Sequence, residues 1–172
     1  MKYQKLELPG ALLVDGFSIY LIEVQYEGTN YYYVGMTGDG HYRSARAGFY
    51  RLVGHLEYQN KRSTQNQLSK ALMRVLNCRT RKEMNLKIDK ANIIFHHFPI
   101  DGFVPDESFK LAKEDVNYRN QRQKVLDFEN TLIHELSATL GRRLLNSTKG
   151  KQMGNVALPH KSVFDAILRL VK

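Results

Sequence analysis

The sequence predicts an α/β (α+β) domain: a small three-stranded antiparallel sheet flanked by helices. Three observations carry this. Two β-like runs, Phe17–Tyr26 and Tyr31–Met36, flank Glu27-Gly28-Thr29-Asn30. Gly and Asn tolerate the positive φ of a tight turn, so the pair reads as a hairpin. A third run, Asn92–Phe98, alternates Ile94, His96 and Phe98 with Ile93, Phe95 and His97, as a strand does. Elsewhere apolar residues recur at helical spacing, most extensively over Val116–Leu140.

Composition bounds the classes. The chain has 172 residues and is 42% hydrophobic, enough for one domain with a real core. Lys and Arg outnumber Asp and Glu by 26 to 17, a net charge of +9, which favours a polyanionic partner and nucleic acid first. The single cysteine, Cys78, excludes an internal disulfide and fits a reducing compartment. No apolar run reaches the ~18 residues of a membrane span, and the N-terminus has no signal-peptide pattern, so no membrane association and a soluble, cytoplasmic protein are expected.

In chain order, residues 1–16 read as an extension with turn signals at Pro9-Gly10 and Asp15-Gly16, packed on the domain by Leu6, Leu8, Leu12 and Leu13. The domain proper spans 17–148, and a C-terminal loop and helix span 149–172. After the hairpin a glycine-rich loop, Gly38-Asp39-Gly40, leads to a helix beginning near Ser44, a fair N-cap. Its buried stripe is Ala45, Phe49, Leu52 and Leu56. Gly48 and Gly54 each weaken that helix by ~1 kcal/mol relative to Ala, which points to a close neighbour at the backbone. A polar, basic loop carries Lys61 and Arg62. A second helix, about Ser63 to Asn77, turns Leu68, Ala71, Leu72, Val75 and Leu76 inward. Arg74, Arg79, Arg81 and Lys82 make its C-terminal end basic, as the helix dipole favours. On the third strand His96 and His97 point to opposite faces, which rules out a simple shared metal site. Asp101–Glu114 reads as a long loop or insertion. The long helix ends at Gly141-Arg142-Arg143, residues 149–159 form a loop, and Ser162–Val171 an amphipathic helix using Val163, Ile167 and Leu170.

Glu129 is the most informative single residue. It lies four after Val125, three before Leu132 and seven before Leu136, in a core-facing slot of an apolar stripe that continues to Leu140. A carboxylate there costs several kcal/mol of desolvation unless it is paired or coordinated. A structural ion pair with an arginine, or a place at the stripe's edge reached by solvent, satisfies it as well as a metal does.

The order of features is Ser18-Ile19-Tyr20 on the first strand, Tyr33-Val34-Gly35 on the second, a glycine loop, a helix with Arg51 and His55 four apart, and Glu129-Asn130 on a late helix. Asn146 follows in Leu144-Leu145-Asn146. This ordered set resembles the GIY-YIG endonuclease domain over about residues 16 to 148. Ser stands here for the family's first Gly and Val for its middle Ile. Each motif is short, and with ten tyrosines in the chain a lone tyrosine means little; the order is what is specific. The resemblance implies a metal-dependent DNA endonuclease that leaves a 5′-phosphate and a 3′-hydroxyl. It assigns Mg²⁺ or Mn²⁺ to Glu129, water activation mainly to Tyr20, and hydrogen-bonding support to Tyr33 and His55. It also implies one arginine facing the scissile phosphate, with Arg43, Arg46 and Arg51 as candidates. Arg43 matches the shortest family spacing from Tyr33. Arg51 is preferred because Leu52 and Leu56 place it beside the buried stripe and His55 shares its face.

A tyrosine is a poor base at its ordinary pKa of ~10, and nearby Arg and metal charge are expected to lower that value. Arg43, Arg46, Lys61, Arg62 and Asn146 are the expected nucleic-acid contacts, and a small lone nuclease domain is a candidate homodimer on its substrate. Two other classes stay open at this level: a non-catalytic nucleic-acid-binding protein on the same fold, and a structural or protein-interaction domain.

Overall fold

A computed structural model describes residues 5–56, 67–100, 111–147, 150 and 158–171. The architecture is a mixed α/β domain with a three-stranded antiparallel sheet, β1 (Ser18–Tyr26), β2 (Thr29–Met36) and β3 (Asn92–Pro99), in the order β2-β1-β3. Among the described residues five helices surround it: α1 (Gly48–Leu56), α2 (Gln67–Val75), α3 (Arg81–Ile88), α4 (Val116–Leu140) and α5 (Leu158–Leu170). Lys61, Arg62 and the greater part of the 101–114 insertion lie outside the described residues. Among the described residues no helix is long and apolar enough to cross a membrane.

The hairpin turn is tighter than the sequence predicts. Only Glu27 and Gly28 lie outside the strands, at φ 47° and 77°, and Thr29 already pairs with Tyr26. Positive φ at both central positions matches the right-handed strand twist.

The sheet is buried on both faces, which is why β1 reads SIYLIEVQY with hardly an exposed position. Ile19, Leu21, Tyr32, Val34 and Met36 face α4 and α5. Tyr20, Ile22, Val24 and Tyr33 face α1, α2 and α3. The α4 stripe Val125, Leu132, Leu136 and Leu140 is buried as its 3.6-residue period requires. Leu132 and Leu136 are fully enclosed, and truncating either to Ala costs about 2–5 kcal/mol.

Several boundaries differ from expectation. The first helix starts at Gly48, not near Ser44, because residues 44–47 make long-range backbone bonds: Asp39 N–H donates to Ser44 O, Gly16 N–H to Ala45 O, and Ala47 N–H to the Asp15 carboxylate. Ala45 is buried, but outside the helix. Arg81 and Lys82 belong to a separate helix, α3, not to the end of α2; Thr80 caps it by accepting from Glu83 N–H. Its weak pattern, with only Met84 buried, leaves no periodic signal. α5 begins at Leu158, before the expected Ser162, and Pro159 sits in the first turn, where no intrahelical N–H is needed. Its inner face is Val163, Ile167 and Val171, with Phe164 and Leu168, while Leu170 is exposed. In the N-terminal extension Leu6 and Leu13 are also exposed.

Candidate active site

The site forms where β1, β2, α1 and α4 meet. Tyr20 pairs across the hairpin with Gly35 and, on the other side, with His97. Its ring lies flat over Gly35: a Cβ there would come within 2.3 Å of the Tyr20 ring and hydroxyl. The glycine of Tyr33-Val34-Gly35 thus makes room for the tyrosine of the other strand. Gly35→Ala should therefore unseat Tyr20, which is 1% exposed and has no space to retreat into, at a cost of about 1–3 kcal/mol. Thermal denaturation reads the loss, and a far smaller one is expected for Gly10→Ala, where a Cβ meets nothing. The close neighbour expected at Gly48 is His97, whose ring carbon Cδ2 stands 2.6 Å from where a Cβ would be.

Tyr20 Oη lies 2.7 Å from His55 Nε2. Arg51, four residues before His55 on α1, also hydrogen-bonds the Tyr20 hydroxyl. A guanidinium can only donate, so the oxygen accepts from Arg51. On its other side the hydroxyl shares a hydrogen bond with His55 Nε2, whose direction follows the imidazole tautomer. The Tyr33 ring packs against His55 with centroids 4.7 Å apart. Ser69 Oγ on α2 donates to the His55 carbonyl and ties α1 to α2. Arg51 Nε is buried and has no hydrogen-bond partner among the described residues. It is a donor awaiting an acceptor.

Glu129 enters from α4, half-buried. The N–H groups of Val34 and Met36, two apart, point to the outer edge of β2. Asn146 takes the first and returns its amide to Val34 O; the second stands near the Glu129 carboxylate and favours its ionised form. Leu145 N–H donates to Tyr32 O on the same edge. This covers an edge strand that would otherwise expose unpaired backbone. Asn146 therefore spends both ends of its amide on β2.

Burial dominates the electrostatics. It pushes Glu129 up from 4.5 to about 7, against the pull of Arg51, Arg122 and the Met36 N–H. It also pushes Tyr20 up to about 12, although the Arg51 charge and hydrogen bond pull it down. Tyr33 is raised further for the same reason, with Tyr20 and Glu129 adding to the shift. With Arg51 as the only cation among the described residues acting on it, loss of hydration outweighs the single guanidinium, and the phenol is held above its ordinary pKa.

The structure brings Tyr20, Tyr33, Arg51, His55 and Glu129 into one cluster. Arg43 lies apart from it, paired with Asp115, the N-cap of α4. Arg46 is exposed and within electrostatic reach of Asp39. One cation beside the cluster escaped the sequence reading. Arg122 donates from Nε to Gly38 O at 3.4 Å and acts on Glu129. Its position two helical turns before Glu129 was the available signal.

Among the described residues no three His, Cys, Asp or Glu side chains gather as a metal cage. Glu129 alone still fits a hard dication: Mg²⁺ keeps several waters and accepts one or two carboxylates plus substrate phosphate. The carboxylate's raised pKa marks charge that its protein neighbours leave undercompensated.

No protein-family model, no curated protein and no solved structure matches the chain.

Proposed function

We propose that the protein is a metal-dependent DNA endonuclease of GIY-YIG type, hydrolysing phosphodiester bonds to a 5′-phosphate and a 3′-hydroxyl. The observation that carries this is the Tyr20 hydroxyl held between Arg51 and His55, with Glu129 on the adjoining helix. Glu129 would hold the Mg²⁺ or Mn²⁺. Bound there, the ion supplies charge neutralisation at the phosphate and at the leaving oxygen.

The chain's own residues do the rest. Arg51 turns its unsatisfied Nε–H to a phosphate oxygen and binds the charge that grows there. Without a metal charge beside it, burial keeps the Tyr20 phenol protonated at neutral pH. As it takes the proton of the attacking water, its own proton passes along the 2.7 Å contact to His55 Nε2. Tyr33 packs on the imidazole and fixes its orientation. The neutral phenol therefore works as a relay, with His55 as the base.

The test is nicking of supercoiled plasmid by the full chain in Mg²⁺ and in Mn²⁺, with EDTA as control. Cutting that requires the metal is expected; absence of cutting in every metal and on every substrate refutes the proposal.

Two further results are expected. Because the partner is a polyanion and the net charge is +9, DNA affinity should fall steeply with salt, with a slope of about −0.9 in log K against log salt for each phosphate contact on duplex DNA. A flat response contradicts nucleic acid as the partner. Glu129 must also shed a proton to bind metal. With its pKa near 7, apparent metal affinity should drop about tenfold per pH unit below 7 and level off above it. Calorimetric metal titration at several pH values reads this directly.

A further inference from the structure

A second concavity opens along the outer edge of β2, next to the cluster but distinct from it. Its volume is about 590 Å³, within the ordinary range for a ligand site. Three arginines line it: Arg74 in the last turn of α2, and Arg142 and Arg143 in the 3-10 turn that follows α4. Among the described residues no acidic side chain lines it. All three arginines are exposed, and among the described residues none is in an ion pair. The rest of the lining is largely apolar, Ala71, Val75, Leu144 and Leu145, with Tyr31 as its aromatic member. The fold builds this arrangement deliberately. Leu144 and Leu145 run parallel to β2 and bond to Tyr32, which draws the preceding arginines to the Thr29–Tyr31 end of the strand.

Tyr31 and Tyr33 are two residues apart, so they share one face of β2. The rise of a strand puts them about 7 Å apart along it. The lining of the concavity is therefore continuous with the wall of the Tyr20–His55 cluster. A polymer leaving the cluster along β2 enters the arginine-lined cleft.

We propose that this cleft binds a single-stranded stretch of nucleic acid beside the cleavage point. A base stacks on Tyr31, and the flanking phosphates lie against Arg74, Arg142 and Arg143. Unpaired guanidinium groups around an apolar lining with an aromatic ring suit a strand that offers both charge and a π-face, and stacking is tolerant of sequence. The cleft rests on the nuclease reading only for the identity of the polymer. It assigns to the protein a preference for substrates with an unpaired segment, such as a flap, a gap or a frayed end.

The test uses the full chain in EDTA, where no metal-dependent cutting competes. Fluorescence anisotropy measures its affinity for a short labelled oligothymidylate, the matching oligouridylate, and a blunt duplex. Tyr31→Leu should weaken the single strands about 5- to 100-fold, the effect of losing one stacking platform, and change duplex affinity far less. Tyr31→Phe keeps the ring and should bind as wild type, which separates stacking from any fold defect. Arg74→Ala, on an exposed position, should weaken single strands several-fold with an unchanged melting curve. Unequal losses for the two oligonucleotides tell whether the cleft prefers DNA or RNA; similar losses mean that it reads base and phosphate alone. The proposal is overturned if Tyr31→Leu and Arg74→Ala bind both single strands as wild type does. It is also overturned if millimolar inorganic phosphate displaces the oligonucleotide and Tyr31→Leu has no effect, since the cleft is then a simple anion or phosphopeptide site. A chain that never cuts DNA but shows the predicted binding pattern refutes the nuclease reading alone. One that cuts while all variants bind normally refutes the cleft alone.

Discussion

Glu129→Ala is expected to abolish cleavage, by at least about 10³-fold under single-turnover conditions, while DNA binding persists. The same change should raise the melting temperature at pH 8 in EDTA. The sign follows from the titration. The Glu129 carboxyl titrates near 7 in the folded protein against an ordinary 4.5, so between those values the folded state keeps a proton that the unfolded chain has released. Its contribution to stability is full below pH 4.5 and is lost as pH rises through 7. At pH 8 the ionised group weakens the fold, by on the order of 1–2 kcal/mol once its partial exposure is allowed for. Glu129→Gln removes the charge and keeps the volume, so it should gain this stability at pH 8 and little at pH 4. Mg²⁺ should stabilise the wild type at pH 8 and leave Glu129→Gln unmoved. Mg²⁺-dependent turnover by either variant contradicts the metal assignment.

Arg51→Ala is expected to lower the single-turnover rate by about 10²–10³, the usual effect of removing one preorganised donor. The donor is preorganised because the guanidinium is already held at the buried Tyr20 hydroxyl while its Nε–H has no partner among the described residues. The neighbouring arginines should behave differently. Arg43→Ala breaks the pair with Asp115, which also caps α4 through Tyr118 N–H, so its main effect should be a lower melting temperature. Arg46→Ala, at an exposed position, should weaken binding and leave the rate at saturating protein nearly intact. A dead Arg43→Ala or Arg46→Ala beside an Arg51→Ala that cuts at wild-type rate would place the catalytic arginine elsewhere.

What the sequence discloses depends on how local the physics is. α4 is legible residue by residue, because an Asp cap and a long 3.6-residue stripe act within the helix itself. The three strands are legible from alternation and turn residues. The start of α1 is not, because Asp15 and Gly16, remote in sequence, hold the backbone at Ala45 and Ala47. α3 left a capping signal in Thr80 and Glu83, but no stripe. Within the site, the roles of Gly35 and Gly48 become physical only when Tyr20 and His97 are seen over them. The balance at Tyr20 between burial and the arginine depends on how completely the sheet and helices close over the ring, which is not a local property of the chain. Arg122 and the arginine cleft depend on which helix ends meet β2, and spacing along the chain does not encode that.

If Tyr20, Arg51, His55 and Glu129 form one hydrolytic centre for phosphodiesters, single-turnover cleavage of an end-labelled DNA by the full chain, with the new termini identified, shows it most directly. The expected result is metal-dependent cutting that leaves 5′-phosphate and 3′-hydroxyl ends, lost in Tyr20→Phe and in Glu129→Ala alike. Cutting that survives in EDTA, or yields 3′-phosphate ends, or proceeds unchanged in Tyr20→Phe, would contradict it.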